Sequence, residues 1–409
     1  MSKSTHFIGQ PLLGQLLSFI DQADVHRISK KHGGEHYVKH FDAWHHLVSM
    51  LYAIIMRFDS LREIQTSMAA ESRKLSHSGL TKIPRKSTIS DANIRRPEKI
   101  FGEIYATLYD RYKEVLSSDS RNRGSTPSWL RKLKIMDSTT ITLFSNLVFK
   151  GVGRNPKRGK KKGGLKVHAI INGNEGIPCD VQFTSAATHD HFLLCPSKLN
   201  RDDIVALDRA YIDYAKFEEM TQRGTVYVTK MKKGLVFKVL DNVIYQDRSG
   251  KMALRVQRVV FTKKTKEVII THHARIITYP DIQKKKLISL LTNDFEMTPE
   301  DIIDIYRKRW IIEKLFKQLK QNFPLRYFYG ESANAIKIQV WCTLIANLLL
   351  MVIKCSVKRS WSFSGLATMI RILLMYYVNY KSILEYPEKD WDVRIEEVIR
   401  PPNQQSLFD

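Results

Sequence analysis

The chain has 409 residues, 43% of them apolar and 10% aromatic, enough at ~150 residues per domain for two or three domains with sizeable cores, which excludes disordered and fibrous classes. Its 66 Lys and Arg against 41 Asp and Glu leave a net charge of +25, so the surface attracts polyanions, nucleic acid first among them. Cys179, Cys195, Cys342 and Cys355 are widely separated without C-x-x-C spacing, which argues against a zinc knuckle or a disulfide framework and fits a reducing cytoplasm.

The N-terminus has no continuous apolar core followed by a small-residue cleavage site, so no signal peptide is expected. Residues 1–125 read as a helical domain. In FDAWHHLVSMLYAIIMRF the apolar residues Leu47, Met50, Leu51, Ile54, Ile55 and Phe58 recur at helical spacing. Ser60 and Glu63 then form a capping-box pattern that starts another helix. A short polar helix near Ser87, RKSTISDANIRR, stops at Pro97 before a longer amphipathic one. Two helices, a turn and a short basic helix resemble a DNA-binding helix-turn-helix, in which Ser87, Ser90, Asn93, Arg95 and Arg96 would face a groove. An ordinary helical bundle with a solvated basic face fits the pattern equally well.

A linker rich in Ser, Arg and Gly, from Ser117 to Trp129, ends this texture. KLKIMDSTTITLF, GGLKVHAIING, GIPCDVQFTS and DDIVALD read as strands, with a helical stretch from His191 to Leu199 before the last. Between the first two lies GVGRNPKRGKKKGG, whose Arg154, Lys157, Arg158, Lys160, Lys161 and Lys162 form a cationic loop suited to phosphate contact. These segments make residues 130–229 the first part of an α/β core. Alternating strands follow, and residues 230–291 read as an inserted β-rich subdomain. Thr298-Pro299-Glu300-Asp301 is a helix start, with a capping hydroxyl, a proline at the first position and acids in the first turn. That helix should run to about Asn322. Residues 292–380 complete the core with C-terminal helices, and 381–409 form a polar tail. The apolar stretch Ile338 to Ile353 contains Gln339, Thr343 and Asn347 and falls short of the roughly 20 residues that span a bilayer. A buried helix is therefore expected there, and no membrane association.

The chemistry gathers on DIIDIYRKRWIIEKLFKQLK. On a helical wheel with Tyr306 at zero, Arg309, Glu313 and Lys320 fall at roughly −60°, −20° and −40°, one narrow stripe beside the apolar face of Ile305, Ile312, Leu315, Phe316 and Leu319. A carboxylate in a row with a phenol, a guanidinium and an ammonium suits a phosphodiester: the acid holds a metal while the cations grip phosphates. A solvated helix with an Arg309–Glu313 ion pair fits equally. Asp137 ends the run KLKIMD and Asp208 ends DDIVALD, where open α/β sheets place their binding crevices. Three converging carboxylates repel one another unless cations compensate them, and two Mg²⁺ ions about 3.5–4 Å apart would both do so and support in-line phosphoryl transfer. His168, His189 and His191 lack a metal-ligand spacing, and imidazole is not a favoured Mg²⁺ ligand. Trp310 falls on the back of the helix and is expected to pack. No G-x-x-x-x-G-K-[ST] loop occurs, so ATP use is not expected.

Tyr306, two residues, Arg309, three residues, Glu313, six residues, Lys320 matches without a gap the Y-R-E-K signature of bacterial insertion-sequence transposases of the IS-four family. IMDSTTITL and LDRAYIDY resemble that family's first- and second-aspartate segments, with Ala210 where relatives commonly carry Gly. The resemblance covers most of residues 1–380. It implies a ribonuclease-H-like catalytic core interrupted by a β-rich insertion, behind an N-terminal all-helical DNA-binding domain. It further implies a DDE triad of Asp137, Asp208 and Glu313 that binds two Mg²⁺ ions, with Mn²⁺ substituting. Tyr306, Arg309 and Lys320 would hold the phosphates of the transposon end. Cut-and-paste chemistry on double-stranded DNA follows: nicking at terminal inverted repeats, second-strand release, then attack of the freed 3′-hydroxyl on target DNA, by a homodimer in the nucleoid-associated cytoplasm. The best-known relatives release the second strand through a DNA hairpin, holding a flipped base on an insertion-domain tryptophan. Here no tryptophan lies between Trp129 and Trp310, so Phe237, Tyr245 or Phe261 would have to substitute. The alternatives are a related nuclease without strand transfer and a catalytically inactive DNA-binding relative.

Overall fold

The computed structural model describes residues 10–117, 127–142, 153–154, 163–248, 250, 252–264, 269–281 and 285–388. In chain order these form helices α1 (Leu12–Leu17), α2 (Gln22–Lys31), α3 (Ala43–Met56), α4 (Leu61–Ala70), α5 (Ser72–Leu75), α6 (Lys86–Arg95) and α7 (Lys99–Ser117). Next come strands β1 (Leu133–Thr142), β2 (Gly153–Arg154), β3 (Gly163–Asn172), β4 (Pro178–Ser185) and β5 (Ile204–Leu207), then helix α8 (Tyr214–Gln222). Strands β6 (Val226–Lys230), β7 (Lys238–Gln246), β8 (Ala253–Lys264), β9 (Ile269–Asp281) and β10 (Lys286–Thr292) follow. Helices α9 (Pro299–Lys308), α10 (Trp310–Asn322), α11 (Ala333–Ser356), α12 (Phe363–Leu373) and α13 (Tyr380–Glu385) complete them. The chain divides into two compact units, Met1–Val115 with Asn322–Asp409, and Leu116–Gln321.

The first unit is helical, and α2, α3, α4, α11, α12 and α13 start where a side chain satisfies a free N–H group. The Ser60 hydroxyl accepts from the Glu63 N–H at 3.3 Å, and the Glu63 carboxylate accepts from the Asp59 N–H at 3.0 Å, a near-reciprocal cap. The C-terminal helices belong with this unit and not, as the sequence suggested for residues 292–380, with the sheet: α11 packs on α3, α6 and α12. A run of apolar residues shows only that a helix is buried, not against what. At 24 residues α11 is also longer than the expected stretch. Ser332 caps it by accepting from the Ala335 N–H, so polar flanking residues join the helix. It is long and apolar enough to cross a bilayer, yet 89% of its apolar window is buried inside the protein.

The second unit is built on one sheet, in the order β2-β3-β1-β5-β6-β10-β9-β8-β7, with β4 also on β3. β1, β5 and β6 are parallel to one another, and the remaining pairs are antiparallel. β5 is buried along its whole length, as a central parallel strand covered on both faces must be. The strands expected to form a separate inserted subdomain instead extend this sheet. β10 pairs antiparallel with β6, Leu290 opposite Lys230, so the free edge of the parallel strands finds main-chain partners. Helices α8 and α9 pack on the same sheet. The expected helix from His191 to Leu199 is two short 3₁₀ turns, Asp190–Leu193 and Pro196–Lys198, since Pro196 has no N–H to continue a helical ladder.

Candidate active site

Asp137 lies within β1 and not at its end, and its place is fixed by pairing. β1 runs parallel to β5 only from Leu133 to Met136, with Met136 opposite Leu207, and continues beyond that beside β3. Asp137 and Asp208 are each the next residue, so the two aspartates stand at one level where adjacent parallel strands part. The Ser138 N–H donates to Asp137 Oδ1 at 2.7 Å. Asp208 opens a 3₁₀ turn, with its carboxylate accepting from the Ala210 N–H at 3.4 Å.

The signature helix starts as its sequence dictates, Thr298 accepting from the Asp301 N–H and Pro299 in the first turn. It is not continuous. α9 stops at Lys308 and α10 starts at Trp310. Between them the Arg309 N–H bonds the Tyr306 carbonyl at 3.1 Å and the Ile312 N–H bonds the Arg309 carbonyl at 3.3 Å, a tightened turn replacing the α-helical ladder. Ile305, Ile312, Leu315, Phe316 and Leu319 are buried as expected. Trp310 is not packed away: it is 49% exposed, and with Asp208, Arg209, Lys230, Tyr306 and Arg309 it lines a cavity of about 600 Å³.

Arg309 joins the helix to the strand. Its Nη1 lies 3.2 Å from Asp137 Oδ2 and its Nη2 2.5 Å from Glu313 Oε1, while its guanidinium lies 5.6 Å from the Tyr306 ring centre and 5.8 Å from that of Trp310. Burial pushes the Asp137 carboxyl up to about 6, with the charges of Asp208 and Glu313 adding to the rise and the Ser138 N–H and Arg309 opposing it. The three carboxylates therefore share one electrostatic neighbourhood. Burial likewise raises the Tyr306 phenol. Lys320 lies against β1, its Nζ donating to Thr139 Oγ1 at 2.7 Å and to the Thr140 carbonyl at 3.1 Å, and burial lowers its pKa.

A second cavity, of about 720 Å³, shares Asp208 and Arg209 with the first and is also lined by Lys166, Asp190, His191 and Lys232. Asp190 accepts from Ser138 Oγ at 2.8 Å and pairs with Lys166 Nζ at 3.1 Å, which buttresses the residue next to Asp137. Lys166 and Ser138 escaped the sequence reading. The available signal was strand alternation, which sets Lys166 and His168 on one face of β3. His168 is buried, with Nε2 2.8 Å from Thr184 Oγ1, and among the described residues no three His, Cys, Asp or Glu side chains stand close enough together to hold an ion.

In the helical unit Ser87 and Arg95 are exposed on α6, but Asn93 and Arg96 are buried. Asn93 Oδ1 lies 2.8 Å from His46 Nε2, and Asn93 Nδ2 donates to the Tyr329 carbonyl. Arg96 donates to the carbonyls of Gly34 and Phe41. Buried and bonded inside the bundle, neither can face a groove, which corrects that expectation. Lys157, Arg158, Lys160, Lys161 and Lys162, like most of the linker and tail, lie outside the described residues. Phe261 is fully buried, its ring stacked 4.9 Å from that of Tyr214, so it cannot present a face to a base. Tyr245 is exposed.

A family model described as a transposase DDE domain matches residues 128–349. The chain belongs to the transposase DDE domain family. A second model, of a domain of unknown function (DUF4372), matches residues 8–81. Among curated proteins the transposase is 25% identical over 269 residues to a probable transposase for insertion sequence element IS5377 of Geobacillus stearothermophilus, covering 60% of this chain and 66% of that one. It is 26% identical over 295 residues to a putative transposase for insertion sequence element IS4SA of Synechocystis, covering 71% and 77%. Its structure resembles a piggyBac transposase synaptic complex with hairpin DNA at 10% identity and a TM-score of 0.46, over 98% of this chain and 87% of that one. The enzyme is thus a DDE transposase of the bacterial insertion-sequence kind, acting on DNA with divalent metal dependence, and neither the nuclease nor the inactive-relative reading is favoured. The donor type suits such a metal, while the three carboxylates as they stand do not converge on one ion. Asp137, Asp208 and Glu313 offer hard carboxylate oxygens, and burial disfavours the charged form of Asp137, which a cation would compensate.

Proposed function

We propose that this transposase performs cut-and-paste transposition with Mg²⁺, or Mn²⁺ in its place, held by Asp137, Asp208 and Glu313 in a ribonuclease-H-like core. The observation that carries the reading is the side-by-side setting of Asp137 and Asp208 beyond the Met136–Leu207 pair, with Glu313 tied to Asp137 through Arg309. Bound divalent ions would polarise the phosphodiester and lower the pKa of the attacking hydroxyl. Tyr306, Arg309 and Lys320 would orient the phosphates of the transposon end, the guanidinium gripping two oxygens of one phosphate. Hydrolysis at the terminal inverted repeat breaks one P–O bond and frees a 3′-hydroxyl. Attack of that hydroxyl on target DNA exchanges one phosphodiester for another, which explains why no ATP would be needed. The exposed Ser87 and Arg95 of an N-terminal recognition domain (residues 1–125), and the cationic segment from Lys157 to Lys162 of the core, would add contacts to double-stranded DNA. A homodimer pairing two ends in the nucleoid-associated cytoplasm completes the reading.

The test uses a plasmid carrying the inverted repeats that flank this reading frame, incubated with purified protein and Mg²⁺. Nicking is expected at the repeats. Asp137→Asn, Asp208→Asn and Glu313→Gln should each lower it by roughly a thousandfold or more while gel-shift binding persists. Cleavage at the normal rate by Glu313→Gln would refute the site. Joining of cut ends to a second plasmid separates transposition from simple cleavage.

A further inference from the structure

We propose that Arg309 and a divalent cation compete for the same carboxylates, so that an internal ion pair holds the metal site shut until a phosphate of the DNA end draws the guanidinium away. The inference rests on the metal-site reading above and adds its regulation.

Both oxygens of Asp137 are engaged, Oδ1 by the Ser138 N–H at 2.7 Å and Oδ2 by Arg309 at 3.2 Å. The second arm of the same guanidinium holds Glu313 at 2.5 Å. One cation already on the protein thus pairs with two of the three acids. A hard divalent ion needs those oxygens at about 2.0–2.1 Å in octahedral array, and it repels a guanidinium held among them. As they stand the carboxylates do not converge on an ion: among the described residues no three acidic or imidazole side chains come close enough together.

Arg309 is also built to leave. Its Nε is buried without a hydrogen-bond partner, so the present pairing leaves at least one of its five donors unspent, and a phosphate with several free oxygens would satisfy more of them. The residue sits at the single break between α9 and α10, so re-aiming it disturbs one turn and not a continuous helical ladder. The cavity it lines also holds Tyr306 and Trp310. A ligand that needs both an opened metal site and a guanidinium would couple the two events, each favouring the other equally.

Mn²⁺ binding to the full chain without DNA, followed by electron paramagnetic resonance of the free ion, tests this. Arg309→Gln should bind Mn²⁺ about tenfold or more tightly than the wild type, and Arg309→Lys, which keeps the charge but loses the fork, should fall between them. Adding Asp137→Asn to Arg309→Gln should erase the gain. A duplex of the transposon end should tighten Mn²⁺ binding to the wild type and leave Arg309→Gln unchanged. Equal or weaker Mn²⁺ binding by a folded Arg309→Gln overturns the latch. If that variant does not fold, Mn²⁺ binding to the wild type with and without the transposon-end duplex decides: tightening by the duplex supports displacement of the guanidinium, and no tightening overturns it. Mn²⁺ binding that Asp137→Asn reduces but Arg309→Gln does not improve sinks the latch alone. Binding indifferent to Asp137→Asn in both backgrounds sinks the metal site itself.

Discussion

Arg96 of the helical unit and Arg309 of the sheet unit are both buried, at 4% and 7% exposure, and their surroundings differ in kind. Arg96 donates from Nε and Nη2 to the main-chain carbonyls of Gly34 and Phe41, has Glu35 at 3.9 Å and, like Arg309, keeps one buried nitrogen without a partner. The two neutral carbonyls hold chain segments in place and offer nothing to a substrate. Arg309 faces two carboxylates and lines a cavity. Buried polar groups satisfied by the main chain build architecture, whereas a buried charge held among other charges at a cavity can change partners. The same contrast separates His46, buried neutral beside Asn93, from Asp137, whose ionised form needs a nearby cation.

The contrast breaks most sharply on Arg96→Ala, which strands two carbonyls and should cost about 4 kcal/mol of stability. Urea unfolding should show the loss with and without Mg²⁺; a loss restored by Mg²⁺ would mean that Arg96 serves the metal site after all. A smaller effect comes from His46. Burial, with Arg96 nearby, depresses its imidazole from 6.5 to about 3. The folded state therefore binds this proton less readily than the unfolded one. The resulting stability is fully present above pH 6.5 and is lost as pH falls toward 3, by about 3 kcal/mol between pH 7 and pH 4. His46→Gln should shrink the drop in melting temperature between those two pH values, and an unchanged drop would locate acid sensitivity elsewhere. The smallest expected effect belongs to Lys320→Ala. If Lys320 leaves Thr139 for one phosphate, the salt dependence of end binding should flatten by about one unit. An unaltered slope would make its contact with β1 purely structural.

Much of the site was legible because chemistry of this kind depends on residue type at fixed spacing. Tyr306, Arg309, Glu313 and Lys320 could be grouped by helical angle alone, and Asp208 by its place after a short apolar strand. The helix break at Arg309 was not legible, since nothing in RKRW disfavours a continuous helix. It accompanies the reach of the guanidinium to Asp137, 172 residues away. Asn93 and Arg96 misled for the complementary reason: a polar residue on a short helix looks solvent-facing until the carbonyls that would bury it are known.

Sequence alone determined the helix starts at Ser60 and Thr298, the strand segments, the strong positive charge and the row of signature side chains, because caps, periodicity and charge are local properties of the chain. Tertiary structure decided that β10 joins β6 to make one sheet, that α11 lies among the N-terminal helices, and that Arg309 stands between Asp137 and Glu313. Each of these depends on which distant groups complete a hydrogen bond, cover an apolar face or neutralise a buried charge, and no local pattern encodes the identity of a partner.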